Sequence, residues 1–282
     1  MKDKMRGKIK GEMKKGFRKK KSLGQNFLKS KSAVRNIVLS GEIISEDTVL
    51  EIGPGKGILT QALLETPAKI IAVEKDDRLI PELKERFAEE IKKEKLQIIH
   101  GDILETPIEN IIPEGNYKVI ANIPYYITGA LFRLLLESKN PPTRMVVLVQ
   151  KEVAERIVAR DKKESILSLS IKAYGNPKII ERVSKKMFSP VPKVDSAVLL
   201  VSEINKSFFE NMGERTFFKW IKAGFSQKRK KVIRNLEAVA TKEVLNQIFA
   251  NLNIDSGSKD EGLTLEQWKN FYKGKPRAED PV

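Results

Sequence analysis

Between Thr48 and about Ile204, short β-branched runs alternate with helix-like stretches, and this alternation restricts the possible folds more than any other feature of the chain. The runs "TVLEIG", "KIIAVEK", "LQIIHGD", "YKVIANIP" and "RMVVLVQ" are nearly continuous in apolar residues. Strands of that kind belong in a sheet covered on both faces. Helical segments lie between them, and Asp77 to Lys95, with its charged outer positions, reads as one such helix. Strands alternating with helices predict an α/β fold with a doubly wound, parallel sheet. "PKIIERV" and "DSAVLLVSEI" follow with little helix between them and predict a closing antiparallel pair.

After Asn205 the character changes. "SFFENMGERTFFKWIKAGF", "KKVIRNLEAVA", "TKEVLNQIFANL" and "TLEQWKNFYK" read as four short helices, which predicts a small C-terminal helical domain. The expected organisation is a basic, disordered arm over 1–21, a sheet domain over 22–204, a helical domain over 205–273 and a flexible tail over 274–282.

Charge separates these parts further. The chain of 282 residues carries a formal +16, and residues 1–21 hold 11 Lys or Arg against 2 acids, a net of +9. A second cluster, "KAGFSQKRKKVIR", contains Lys222, Lys228, Arg229, Lys230, Lys231 and Arg234 and no acid. A lysine-rich arm can simply keep a protein soluble. Two basic clusters far apart in sequence favour phosphate tracking along a nucleic acid, with strong salt dependence. No stretch approaches the ~20 apolar residues of a membrane helix, and no apolar segment follows the basic amino terminus as a signal peptide requires. Cysteine is absent, which excludes disulfides, thiolate metal sites and a cysteine nucleophile. A soluble, cytoplasmic monomer is the expectation, with no metal.

A ligand site is legible at the strand ends. "EIGPGKG" (Glu51 to Gly57) follows the first strand and opens a helix, with glycines at 53, 55 and 57 that allow a tight turn and close backbone approach. The dinucleotide fingerprint would need glycine at Ile58, and a P-loop would need glycine at Leu50 and a hydroxyl residue at Gly57, so neither fits. Glu74 ends the second strand 21 residues after Gly53, where an acid can take ribose hydroxyls. Asp102 ends the third strand and Asn122 the fourth. Ligands of open α/β sheets bind beyond the carboxyl ends of the strands, so these polar ends should face one crevice. The single histidine, His100, reads as structural.

The set "SLGQNFL" (Ser22 to Leu28), "EIGPGKG", "VEKD" (Val73 to Asp76), "GDIL" (Gly101 to Leu104), "NIPYYI" (Asn122 to Ile127) and "FSPVPKVDSAV" (Phe188 to Val198) resembles the ribosomal RNA adenine N6-dimethyltransferases. "VQKEVAERI" (Val149 to Ile157) and "AGFSQKRKKVIRNL" (Ala223 to Leu236) are similar to the small-subunit branch of that family, more than to the large-subunit resistance branch. The resemblance covers roughly Ser22 to Leu236 and excludes the arm. It implies a Rossmann-like class I methyltransferase sheet and S-adenosylmethionine as cofactor. Gln25, Asn26, Leu28 and Asn122 would contact the cofactor, Gly53 and Gly55 would sit against its methionine part, Glu74 beside Lys75 would hold the ribose, and Asp102 with Ile103 would read its adenine.

By the same resemblance, Asn122, Ile123, Pro124 and Tyr125 would hold the target base: two neutral acceptors for the N6 hydrogens, a rigid proline after them and a ring to stack on. Phe188 is the candidate for the opposite face of the base, and Tyr126 is expected to point inward. The implied partner is ribosomal RNA within an immature small subunit, two adjacent adenines each being dimethylated, with the Lys222–Arg234 cluster gripping the backbone. Three other readings are a large-subunit adenine methyltransferase, a non-catalytic assembly factor on the same fold, and a nicotinamide-dependent dehydrogenase, the last disfavoured by the glycine spacing.

Overall fold

The computed structural model describes residues 25–112, 115–210, 212–228, 230–255, 257–259 and 262–273. The basic arm over 1–21 and the tail over 274–282 lie outside the described residues. Among the described residues nine strands form, β1 (Phe27–Leu28), β2 (Thr48–Ile52), β3 (Lys69–Glu74), β4 (Leu96–His100), β5 (Tyr117–Asn122), β6 (Arg144–Gln150), β7 (Asn176–Val183), β8 (Phe188–Ser189) and β9 (Ser196–Ser202). Seven of them make one sheet in the order β4-β3-β2-β5-β6-β9-β7. Neighbours from β4 to β6 are parallel, while β9 runs antiparallel to both β6 and β7. This is a Rossmann-like, doubly wound α/β sheet with the antiparallel closing pair that the apolar runs predict.

Alternate residues of each strand serve opposite faces, as a period of two requires. Val49, Ile70, Ala72, Ile120, Val146 and Leu148 pack against Ala33, Val34 and Ile37 of the helix Lys31–Ser40 and against Leu59 and Leu63 of the helix Ile58–Leu64. Leu50, Ile71, Val73, Val119, Ala121 and Val147 face the other way, toward Leu131, Phe132 and Leu135 of the helix Thr128–Glu137. That second core continues without a break into Phe209, Phe217, Trp220, Ile221, Trp268 and Phe271 of the C-terminal helices. Tyr174 makes the junction: its ring lies 5.0 Å from that of Phe209 and its hydroxyl donates to Glu214 Oε1 at 2.5 Å.

Two helical expectations are corrected. The Asp77–Lys95 segment is two helices, Ile80–Arg86 and Ala88–Lys92, because the chain breaks at Phe87 (φ −114°) to bury its ring. "SFFENMGERTFFKWIKAGF" likewise divides into a 3-10 turn, Ser207–Phe209, and the helix Glu214–Gly224, which starts after an extended Gly213. The other C-terminal helices among the described residues are Val232–Leu236, Lys242–Asn251 and Leu265–Lys273.

Candidate active site

Because β2, β3, β4 and β5 are parallel, their carboxyl ends open on the same edge of the sheet, and a cavity of about 640 Å³ lies there. Its wall contains Gln25, Asn26, Leu28, Gly53, Gly55, Glu74, Lys75, Asp102, Ile103, Asn122, Ile123, Pro124 and Tyr125. The structure therefore brings together the motif residues from five separate segments.

Gly53, Gly55 and Gly57 all have φ between +59° and +73°, which a side chain would strain. A Cβ at Gly57 would also stand 2.7 Å from the buried Phe87 ring. The Gly53 amide donates to Val73 O at 2.9 Å, and the Gly55 amide donates to Glu74 Oε2 at 3.0 Å, so the loop is laced onto the end of β3. Glu74 Oε1 accepts from the Asp76 amide at 2.7 Å. Burial pushes the Glu74 carboxyl above the usual range, and these two amides oppose the rise. Asp76 is fixed by Arg78, whose Nε and Nη2 donate to it at 2.8 and 2.6 Å, and by Gln25 Nε2 at 2.8 Å. The Arg78 bonds lead in holding the Asp76 carboxyl down at about 2, against a smaller burial effect. The Gln25 bond also docks the segment ahead of β1 onto the β3 end.

Asp102 Oδ2 is paired with Lys75 Nζ, and its Oδ1 accepts from the Leu104 amide at 3.0 Å. Burial works to raise the Asp102 carboxyl, yet Lys75 and the Leu104 amide outweigh it and keep it low. At the β5 end, Asn122 Nδ2 donates to Asn26 O at 3.3 Å, which leaves Oδ1 as the acceptor of the amide. Pro124 (φ −58°, ψ 134°) turns the chain into a 3-10 turn over Tyr125–Ile127. The Tyr125 ring is half-buried and its hydroxyl meets Ser196 Oγ at 2.7 Å. Tyr126 corrects an expectation: it is 62% exposed on the cavity wall, because successive residues of so tight a turn point in different directions.

Phe188 is not in this wall. It pairs with Leu28 in a two-stranded ribbon, β1 with β8, and is buried among Leu28, Val34 and Val183 while its neighbour Ser189 lines the cavity. His100 is also outside the wall. Of the basic cluster, Lys222, Lys228, Lys230, Lys231 and Arg234 are exposed, on and between the helices Glu214–Gly224 and Val232–Leu236, and Arg229 lies outside the described residues. Sequence reasoning missed Ser196 and Glu51. Both stand inside quoted motifs, but as apparent strand residues with no chemical cue of their own.

The wall suits a ligand with a nucleoside and an amino-acid end. It offers two carboxylates, close backbone at the glycine loop, and buried acceptors without partners at Gln25 Oε1 and both Glu51 oxygens. Among the described residues no helix is long and apolar enough to cross a membrane.

Residues 16–275 match the model of a family described as ribosomal RNA adenine dimethylase. The ribosomal RNA small subunit methyltransferase A of Dehalococcoides mccartyi is 40% identical over 273 residues, 94% of this chain and 93% of that protein. A dimethyladenosine transferase from Plasmodium falciparum superposes with a TM-score of 0.74 at 26% identity, over 87% of this chain and 95% of the other. The 23S rRNA methyltransferase ErmE shares the fold at a TM-score of 0.74 and 22% identity, over 88% and 99% of the two chains.

Proposed function

This chain belongs to the ribosomal RNA adenine dimethylase family, and we infer that it dimethylates adenines of small-subunit ribosomal RNA at the exocyclic N6. It is an S-adenosylmethionine-dependent enzyme acting on ribosomal RNA adenine. The observation that carries the finer reading is the convergence of the glycine loop, Glu74, Asp102 and the Asn122–Tyr125 turn on one cavity.

When bound, S-adenosylmethionine supplies an activated methyl on a sulfonium, so the chain's own task is positioning. Glu74 holds the ribose while its two backbone amides keep the carboxylate oriented, and Asp102 with Ile103 reads the cofactor adenine. Gln25, Asn26 and Leu28 close over the cofactor from the β1 segment. An adenine N6 is a weak nucleophile because its lone pair is delocalised into the ring. Asn122 Oδ1 and the Ile123 carbonyl accept its two hydrogens, which localises electron density on nitrogen and stabilises the positive charge that builds there. The proton leaves after attack, so a neutral amide suffices. Tyr125 offers a face to a base taken out of its stack, and exposed Tyr126 at the rim is a second aromatic surface for RNA, a role that Phe188 would fill only by leaving its core site.

The proposal assigns residues 22–204 to catalysis and 205–273 to gripping the RNA backbone through Lys222, Lys228, Arg229, Lys230, Lys231 and Arg234. Such contacts position RNA and carry little sequence information, which suits recognition of a folded particle by shape. The working form in this reading is a cytoplasmic monomer on an immature small subunit, with two adjacent adenines each receiving two methyl groups. Incubating unmodified small and large ribosomal subunits with methyl-labelled cofactor tests it. Dimethyladenosine in the small subunit is the expected product; label confined to the large subunit, or none, overturns the assignment.

A further inference from the structure

Glu51 is the one acid among the described residues with both carboxyl oxygens buried and lacking a hydrogen-bond partner. It is the next-to-last residue of β2, in register with Ala72 of β3, and is 1% exposed within the wall of the cavity. The charged groups around the same cavity are Glu74 and Lys75 from β3, Asp102 beyond β4, Lys56 in the glycine loop, Arg86 of the helix Ile80–Arg86 and Lys29 after β1. No ion pair joins any of them to Glu51: Lys75 is engaged by Asp102, and Arg86 Nη1 donates to Lys56 O at 2.8 Å.

Two acids thus share one crevice on unequal terms. Each Glu74 oxygen accepts a backbone amide, and these two bonds oppose the rise that burial causes. Glu51 has no amide or hydroxyl in full hydrogen-bond geometry and only the weaker influence of Thr60, and a buried carboxylate without a counter-charge sheds its charge by keeping its proton. Burial pushes Glu51 up to about 8, offset in part by Thr60 and reinforced by the charge of Glu74. No cation of the cavity wall is ion-paired with Glu51, and the amino-acid end of the cofactor carries an ammonium.

We propose that Glu51 is a neutral carboxylic acid in the cofactor-free enzyme and gives its proton to solvent when the ammonium of the cofactor's amino-acid end arrives as its counter-charge. Cofactor binding is then a proton-releasing step, and the affinity climbs with pH until Glu51 is ionised in the free enzyme as well. The inference rests on the cofactor assignment above. It makes Glu51 a positioning residue that selects ligands bearing the ammonium over those bearing the nucleoside alone.

Calorimetric titration near pH 7, in buffers of different ionisation enthalpy, tests it with two ligands. S-adenosylhomocysteine keeps the amino-acid end; methylthioadenosine keeps the ribose and adenine but lacks that end, and so controls for any proton lost from Glu74. The expected result is release of about one proton with S-adenosylhomocysteine and none with methylthioadenosine, with affinity for the former rising up to about tenfold per pH unit below pH 8. Glu51→Gln should bind both without proton release. Binding of S-adenosylhomocysteine with no proton release, equal release for the two ligands, or unchanged release in Glu51→Gln overturns the inference and leaves the methyltransferase assignment standing. Failure of both ligands to bind the wild-type protein overturns the two together.

Discussion

The Tyr125 hydroxyl and Ser196 Oγ lie 2.7 Å apart, joining the turn after Pro124 to the first residue of β9. Ser196 is fully buried and sits opposite Gln150 in the β6–β9 ladder, so its position is set by the sheet. The ring of Tyr125 is therefore held from its far end by a rigid element, whereas Tyr126 beside it is exposed.

Ser196→Ala removes that anchor without touching the cofactor. A hydrogen bond of this kind is worth about 0.5–1.5 kcal/mol net, so turnover should fall by up to about tenfold while cofactor affinity is unchanged. Tyr125→Phe should match it in steady-state assays. A Ser196→Ala enzyme with wild-type kcat would show that the ring needs no anchor.

Gly224 is constrained by space. A Cβ there would stand 2.2 Å from Trp268 Cη2, and Trp268 is buried and stacked on Phe225 at 5.7 Å. Gly224→Ala should cost about 1–3 kcal/mol by overpacking, seen as a lower midpoint in thermal unfolding followed by tryptophan fluorescence. Both tryptophans, Trp220 and Trp268, are in this core. An unchanged midpoint would mean that the helices shift apart at no cost.

Glu51 also makes stability depend on pH, with a definite sign. Its carboxyl is raised from an ordinary value near 4.5 to about 8, so between those values the native state binds more protons than the unfolded chain. Stability is then lost as pH rises through that window, by up to about 1.4 kcal/mol per unit. Glu51→Gln lacks this loss, so its advantage over wild type, measured by urea denaturation, should grow from about pH 5 to 8 and level off above. A constant difference would contradict the burial of an unpaired acid.

Lys230→Glu and Lys231→Glu together should weaken RNA binding and flatten its salt dependence. Each lost phosphate contact should lower the slope of log K against log salt by about 1. Affinity for S-adenosylhomocysteine, measured by calorimetry, should not change. An unchanged slope would place the RNA backbone elsewhere.

Much of this was readable beforehand because the physics is local. Runs such as "RMVVLVQ" announce a strand buried on both sides, and Glu74 and Asp102 mark strand ends by being polar where an apolar run stops. The β1–β8 ribbon was not readable: two residues per strand leave no periodicity, and Leu28 and Phe188 are 160 positions apart. In the sequence Phe188 consequently reads as a stacking residue, although that pairing buries it. Tyr125 and Tyr126 are adjacent and chemically identical in sequence, and only the 3-10 turn assigns one to an anchor and the other to the rim. Glu51 reads as one more strand position until the partners of its oxygens are counted.

The most direct test concerns Asn122, whose Nδ2 donates to Asn26 O and whose Oδ1 is thereby left to accept from the target amine. In Asn122→Ala, cofactor affinity by calorimetry should stay within about twofold of wild type, while methyl transfer to unmodified small subunits falls by about 100-fold or more, the loss typical of one preorganised polar group. Methyl transfer at near wild-type rate in that variant would contradict the account.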